Sequence, residues 1–245
     1  MIKFFRKIRQ NLLMENKTEK YFKYAIGEII LVVVGILIAL QLNLYKENHQ
    51  TSSVRKDYYN QLIDDLNSDK ENLEENILNI ESFNTAYNAY IETFNGKDLS
   101  IEEMITNRSQ LNKGASLISF NSSTFESLEK SGDIKILSKE IRKKLLDLKS
   151  NQKLLVERVN NNSLIQAEFL KEYFLAIGTG DLSERISTHP KLQDFLNTEI
   201  NHPKAALVTE ANLYWKFRTE KSNDFNKMLS EIDELIQLIN NELKK

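Results

Sequence analysis

From Ile29 to Leu40 the chain holds twelve consecutive residues without a polar side chain. Extended from Tyr24 to Leu44, the stretch reaches 21 residues, the length an α-helix needs to cross a hydrocarbon core. Its polar members, Glu28, Gln41 and Asn43, lie near the ends, where long polar side chains reach headgroups. Tyr21, Phe22, Tyr24 and Tyr45 flank it as interfacial aromatics do. A buried core helix of 10–14 residues gives a similar short run, and a cleaved signal peptide also pairs a basic flank with an apolar stretch. The flanks favour a span. The basic region runs for more than twenty residues, and Gln41-Leu42-Asn43-Leu44 offers no small-residue cleavage site. The pattern predicts an uncleaved signal anchor.

Beyond the span the periodicity is helical. Leu66, Leu73, Ile77, Ile80, Phe83 or Asn84, Tyr87, Tyr90 or Ile91, and Phe94 recur at steps of three or four. No Pro or Gly interrupts Lys46–Phe94, and Asn95-Gly96 ends it. Ser100 with Glu103 and Ser123 with Glu126 form capping boxes for short helices over 101–110 and 124–131, with Gly132 at the C′ position. Asp133–Ile136 alternates for four residues and reads as an extended connector or short strand. Ser138 then caps a helix reaching about Ile177. Its seam is Ile141, Leu145, Leu148, Gln152, Leu155, Val159, Asn162, Gln166, Phe169 and Tyr173. Gly178–Asp181 ends it. His189-Pro190 and His202-Pro203 mark helix starts with Pro at the first helical position. The last helix runs to Leu243, with Leu207, Ala211, Tyr214, Phe217, Phe225, Met228, Ile232, Leu235 and Ile239 as its inward stripe.

Amphipathic helices of this length must bury their apolar faces together. The chain is therefore predicted to be all-α. An N-terminal transmembrane helix precedes an extracytoplasmic antiparallel helical bundle of three long helices plus short ones. Residues 1–23 form a cytoplasmic basic amphipathic segment, 24–44 the transmembrane helix and 45–245 the bundle domain. In the bundle, the first helix leads away from the membrane, 138–177 returns and the last leads outward again. The short helices cap it or fill a fourth position.

Composition supports the helical reading: among 245 residues only 7 are Gly and 2 Pro. Charge supplies direction. Residues 1–24 carry seven Lys/Arg against two Asp/Glu, while 45–245 carry 26 against 32. Excess Lys/Arg marks the cytoplasmic side, so the N-terminus is expected inside and the C-terminal domain in the periplasm, on an inner-membrane anchor. A mildly acidic domain argues against nucleic acid as a partner. Phe4, Phe5, Ile8 and Leu12 lie opposite Lys3, Arg6, Lys7 and Gln10, either as an interfacial helix or as a plain basic flank.

The stretch from Met1 to Asn43 resembles the N-terminus of a domain-of-unknown-function family of bacterial single-pass membrane proteins, frequent in flavobacteria and their relatives. Ser123–Leu148, "STFESLEKSGDIKILSKEIRKKLLDL", is similar to that family's pattern of short helix, Ser-Gly, apolar turn and longer helix. Members often have a Trp shortly after the span, where this chain has Leu44-Tyr45. The resemblance implies a membrane-anchored helical extracytoplasmic domain and no particular activity.

Candidate chemistry is sparse. With no cysteine there is no thiol nucleophile or thiolate metal site. His49, His189 and His202 show no metal-ligand spacing, and no serine-nucleophile elbow occurs. Asp64-Asp65 with Asp69 and Glu71, and Glu74-Glu75, read as solvated helix faces. No enzymatic activity and no cofactor are expected. Two polar sets remain. Gln152, Asn162 and Gln166 either set the register of the seam or line a polar pocket. Gly35 and Ala39 each lie within about 20° of Glu28 at 100° per residue, so the three share one face of the span. Gly35-x-x-x-Ala39 permits close helix approach, and Glu28 is either a membrane-embedded functional acid or an interfacial carboxylate. The expected function is a scaffold or protein-interaction module, partnered by the membrane and by another envelope protein or a second copy. The alternative is a ligand-sensing domain signalling through a membrane partner.

Overall fold

The computed structural model describes residues 18–93, 98–108, 111, 116–177 and 202–244. Its regular elements are all helical: α1 (Thr18–Glu92), α2 (Ile101–Arg108), α3 (Ser123–Ser131), a 3-10 turn (Asp133–Ile136), α4 (Lys139–Ile177), α5 (His202–Thr219) and α6 (Ser222–Leu243). The chain divides into two compact units, Met1–Asp57 and Tyr58–Lys245.

In the first unit, the apolar run forms the N-terminal half of α1, and nothing between Leu44 and Gln50 interrupts the helix. Its most apolar eighteen-residue stretch has a mean hydropathy of 2.6 and none of it is buried, so this helix is long and apolar enough to cross a membrane. The amphipathic pattern of residues 1–13 lies outside the described residues.

In the second unit, the three-and-four spacing of apolar residues builds one core. Tyr59, Leu62, Leu66, Leu73 and Ile80 of α1 meet Ile141, Leu145, Leu148, Leu155 and Val159 of α4 and Phe225, Met228, Ile232, Leu235 and Ile239 of α6. Ile118, Leu128 and Leu137 join from the connection between α1 and α4. Each such side chain contributes roughly 1.5–3 kcal/mol through removal from water. A second, aromatic cluster gathers Phe83, Tyr87, Tyr90, Leu111 and Leu213, with Phe217 against it. The Tyr87 and Phe217 rings lie 4.8 Å apart.

Cross-chain bonds fix the directions. The Ser138 N–H donates to Tyr59 Oη at 3.1 Å and Gln152 Nε2 to Asp69 at 3.0 Å, so α4 runs in the same sense as α1. The pairs Lys70–Asp233 and Lys144–Glu234, each 2.8 Å, and Lys204–Glu172 at 3.0 Å show α5 and α6 running the opposite way. This corrects the expected return of 138–177 along the first helix. The connection makes that return instead: Arg108 meets the Ala206 carbonyl, Asn121 meets Asp69, and Asp133 meets Tyr58. The connection carries its own apolar anchors, Leu111, Ile118 and Leu128, so it is held along the core as it crosses.

Local chemistry explains most boundaries. Ser100 and Glu103 exchange the two capping-box bonds, 2.9 and 3.2 Å. The Ile141 N–H donates to Ser138 Oγ at 3.4 Å, as the predicted cap of α4 requires. Gly132 adopts φ 76°, the left-handed conformation of a C′ glycine, and its N–H donates to the Glu129 carbonyl. Three expectations change. Asp133–Ile136 is a 3-10 turn, not an extended connector, held by Tyr58 Oη donating to Asp133 at 3.0 Å. The hydroxyl of Ser123 does not close its own capping box. Asp65 of α1 accepts that hydroxyl and the Thr124 N–H at 3.1 Å, so the cap comes from another helix. The last helix is broken at Glu220-Lys221. Leu207 and Tyr214, expected inward, are 71% and 56% exposed, while Ala205, Thr209, Leu213 and Lys216 face in. The break shifts the helical phase, so one stripe cannot serve both halves. Asn95-Gly96, Gly178–Asp181 and His189-Pro190 lie outside the described residues.

Candidate functional site: two buried clamps on a strap

Residues 116–122 form a non-helical strap between α2 and α3. Ile118 is buried in the core and Phe120 packs against it, while Leu117 is 74% exposed. A strap without helical bonds must find other partners for its backbone. Two side-chain clusters supply them.

The first clamp centres on Asp69, 1% exposed on the inward face of α1. Its carboxylate accepts the Asn121 N–H at 2.6 Å and Gln152 Nε2 at 3.0 Å. Lys149, one turn before Gln152 on α4, donates to the Asn121 carbonyl. Burial pushes the Asp69 carboxyl above the usual carboxylate range, against the Asn121 N–H, Lys149 and Gln152, which pull it down. Burial likewise lowers the Lys149 ammonium, opposed by Asp69 and Asp65.

The second clamp centres on Glu220, buried at the break between α5 and α6. It accepts Ser116 Oγ at 2.7 Å and Gln166 Nε2 at 2.9 Å, with the Ser116 N–H at 3.4 Å. Lys216 Nζ lies 3.8 Å from it and 4.8 Å from the centre of the Phe83 ring. Burial lowers the Lys216 ammonium, countered by Glu220. The two clamps thus share a plan: an acid, a glutamine from α4, a lysine and a strap backbone amide. Gln152 and Gln166 are 14 residues apart, four helical turns or about 21 Å along α4. The strap from Ser116 to Asn121, extended, covers about 17 Å.

A third polar cluster closes the aromatic end. Tyr90 Oη donates to Glu210, and Arg108, 2% exposed, donates to the Ala206 carbonyl at 3.1 Å with Glu210 3.9 Å away. Burial first, then the bond to Glu210, raises the Tyr90 phenol above its ordinary range.

The sequence-predicted residues separate. Gln152 and Gln166 each engage a different acid, and Asn162, half-buried, lines a hollow of about 10 Å³ with Ser116, Arg158 and Glu220. A second hollow of about 30 Å³ lies between α4 and α5 at Tyr173, Thr209 and Asn212. These volumes hold about one or two waters. In the first unit, Gly35 and Ala39 are exposed and Glu28 is partly buried. A Cβ added at Gly35 meets nothing within 4 Å among the described residues.

Sequence reasoning missed Asp69, Glu220, Lys149 and Lys216. Asp69 does not sit on a solvated face, as its acidic neighbourhood suggested. The signal was present: 62, 66, 69 and 73 keep the inward step, and Asp69 occupies the gap between Leu66 and Leu73. Among the described residues, no group of three or more His, Cys, Asp or Glu is placed to hold a metal ion. Comparison with known proteins finds no matching family model, no matching curated protein and no matching solved structure.

Proposed function

We propose that the chain is a membrane-anchored scaffold or interaction module of the bacterial envelope. Its N-terminus lies in the cytoplasm, residues 24–44 span the inner membrane, and the later helices form a periplasmic bundle. The balance of five positive charges before the apolar stretch supports this direction. So does the resemblance of Met1–Asn43 to single-pass membrane proteins.

The observation that carries the reading is the open face of the span. Among the described residues nothing lies over Gly35, which shares that face with Ala39 and Glu28. A second transmembrane helix can approach closely there. Inside the second unit, the inward polar side chains Gln152 and Gln166 are used in intramolecular ties and do not line an open pocket. In-membrane crosslinking of the intact protein should recover a dimer or a defined complex. Recovery of free monomer alone would refute the scaffold reading. A periplasm-active reporter fused after Lys245 should be active, and an inactive fusion would reverse the orientation.

A second reading is a ligand-sensing domain. It is favoured by the buried oxygens of Gln152, Gln166 and Asn212, which have no hydrogen-bond partner among the described residues. A thermal-shift screen of the intact protein against envelope metabolites separates the two. Stabilisation that is lost in Asn212→Leu supports sensing.

A further inference from the structure

Asp69 is a buried carboxylate with no ion pair among the described residues. Lys149, the cation nearest to serving it, donates to the Asn121 carbonyl. The charged form is therefore held by two direct hydrogen bonds, from one strap amide and one glutamine amide, and by the Lys149 charge acting without an ion pair, and burial outweighs all three. Beside it, the Gln152 oxygen is buried with no hydrogen-bond partner among the described residues. A buried acid in that position is expensive to ionise and cheap to neutralise. When it is neutral, one oxygen still accepts the Asn121 N–H. The other carries a proton that Gln152 can accept by turning its carboxamide through 180°.

We propose that residues 116–122 are a proton-set strap, held more tightly over the core when Asp69 is protonated than when it is ionised. Lifting the strap admits water to Asp69 and relieves the cost of its charge, so ionisation favours the lifted form. The sign follows from linkage. With the strap down, burial raises the Asp69 carboxyl above its ordinary range; with the strap up, water returns it toward that range. The closed form binds the proton more strongly, so closure is strongest in acid and weakens as pH rises through the raised value. Between the two values the closed-to-open ratio changes by up to about tenfold per pH unit.

The groups facing Asp69 are Asp65 on α1, Lys149 and Gln152 on α4 and Asn121 on the strap. At the other end, Glu220 faces Lys216, Gln166 and Ser116, with Arg158, Lys221 and Asp224 around the adjoining hollow. Burial depresses both lysines. A depressed lysine strengthens closure as pH rises, the opposite sign to Asp69.

The chain has no cysteine, so Ser119→Cys, an exposed strap position, takes a single nitroxide label. Electron paramagnetic resonance of the full-length protein in lipid nanodiscs then reads strap mobility from pH 8 down into acid. The label should become less mobile as pH falls. With Asp69→Asn, which imitates the neutral acid, it should stay immobile throughout; with Asp69→Ala it should stay mobile. Mobility independent of pH in the otherwise unaltered chain would overturn the proposal, whatever the variants do. Mobility that rises in acid would overturn it too, as would an Asp69→Asn strap as mobile as that of Asp69→Ala.

Discussion

Gln152 donates to Asp69 from the middle of an otherwise apolar seam. Replacing it with Ala removes a donor from a buried acid, a loss of about 1–3 kcal/mol. The thermal midpoint of the second unit should fall by roughly 2–12 °C, read by circular dichroism of the intact protein in detergent. Apolar replacement of both partners often restores stability. Asp69→Leu with Gln152→Leu should not, because the Asn121 N–H would then lack its acceptor. Full recovery in that double variant would show that the acid serves Gln152 alone. Arg108 is a parallel case. It is buried, and Arg108→Met should destabilise by about 3–5 kcal/mol if its tie to Glu210 and the Ala206 carbonyl closes the aromatic end.

Helix boundaries are set by single side chains, some on other elements. Ser138→Ala should cost about 1 kcal/mol by leaving the start of α4 uncapped. Asp65→Ala should cost a similar amount at α3, because Asp65 caps that helix from α1. A midpoint unchanged in Asp65→Ala would mean water serves the Thr124 N–H equally well. These elements also show what could be read in advance. The α4 seam was legible from Ile141 to Tyr173, and so were both the Ser100–Glu103 box and the Gly132 terminus, since each depends on residues a few positions apart. The Asp65 cap and the strap amides were not, because their partners stand more than fifty residues away. Polar residues on the inward face were also hidden. Thr209 and Lys216 are buried, yet a hydrophobic stripe passes over them in favour of Leu207 and Tyr214. Apolar pattern marks faces only where the face is apolar.

At the scale of the whole molecule, two regions obey different rules. The apolar half of α1 exposes Ile29 to Leu40 and is long and apolar enough to cross a membrane. The second unit hides comparable residues in a core. On the proposed reading of this face, Gly35→Leu with Ala39→Leu should weaken association with a second transmembrane helix in a membrane two-hybrid assay while leaving the second unit's thermal midpoint unchanged. Unaltered association would exclude this face as the contact. The helix direction within the second unit was unreadable from pattern, since the apolar anchors of the connection from α1 to α4, such as Leu111, Ile118 and Leu128, follow no helical or strand period that would show it crossing back.

The matched spacing of the two clamps has a consequence for how the chain avoids error. A heptad seam tolerates slippage, because a helix moved by seven residues presents a similar apolar face. Here such a slip would set Val159 against Asp69 and carry Gln166 away from Glu220, stranding two carboxylates among apolar side chains. The pair of polar rungs works as a vernier: one alignment satisfies both marks, and near misses satisfy neither. A polar residue in a helical core can thus act as a proofreading device during folding, rejecting wrong alignments that the apolar contacts alone would accept.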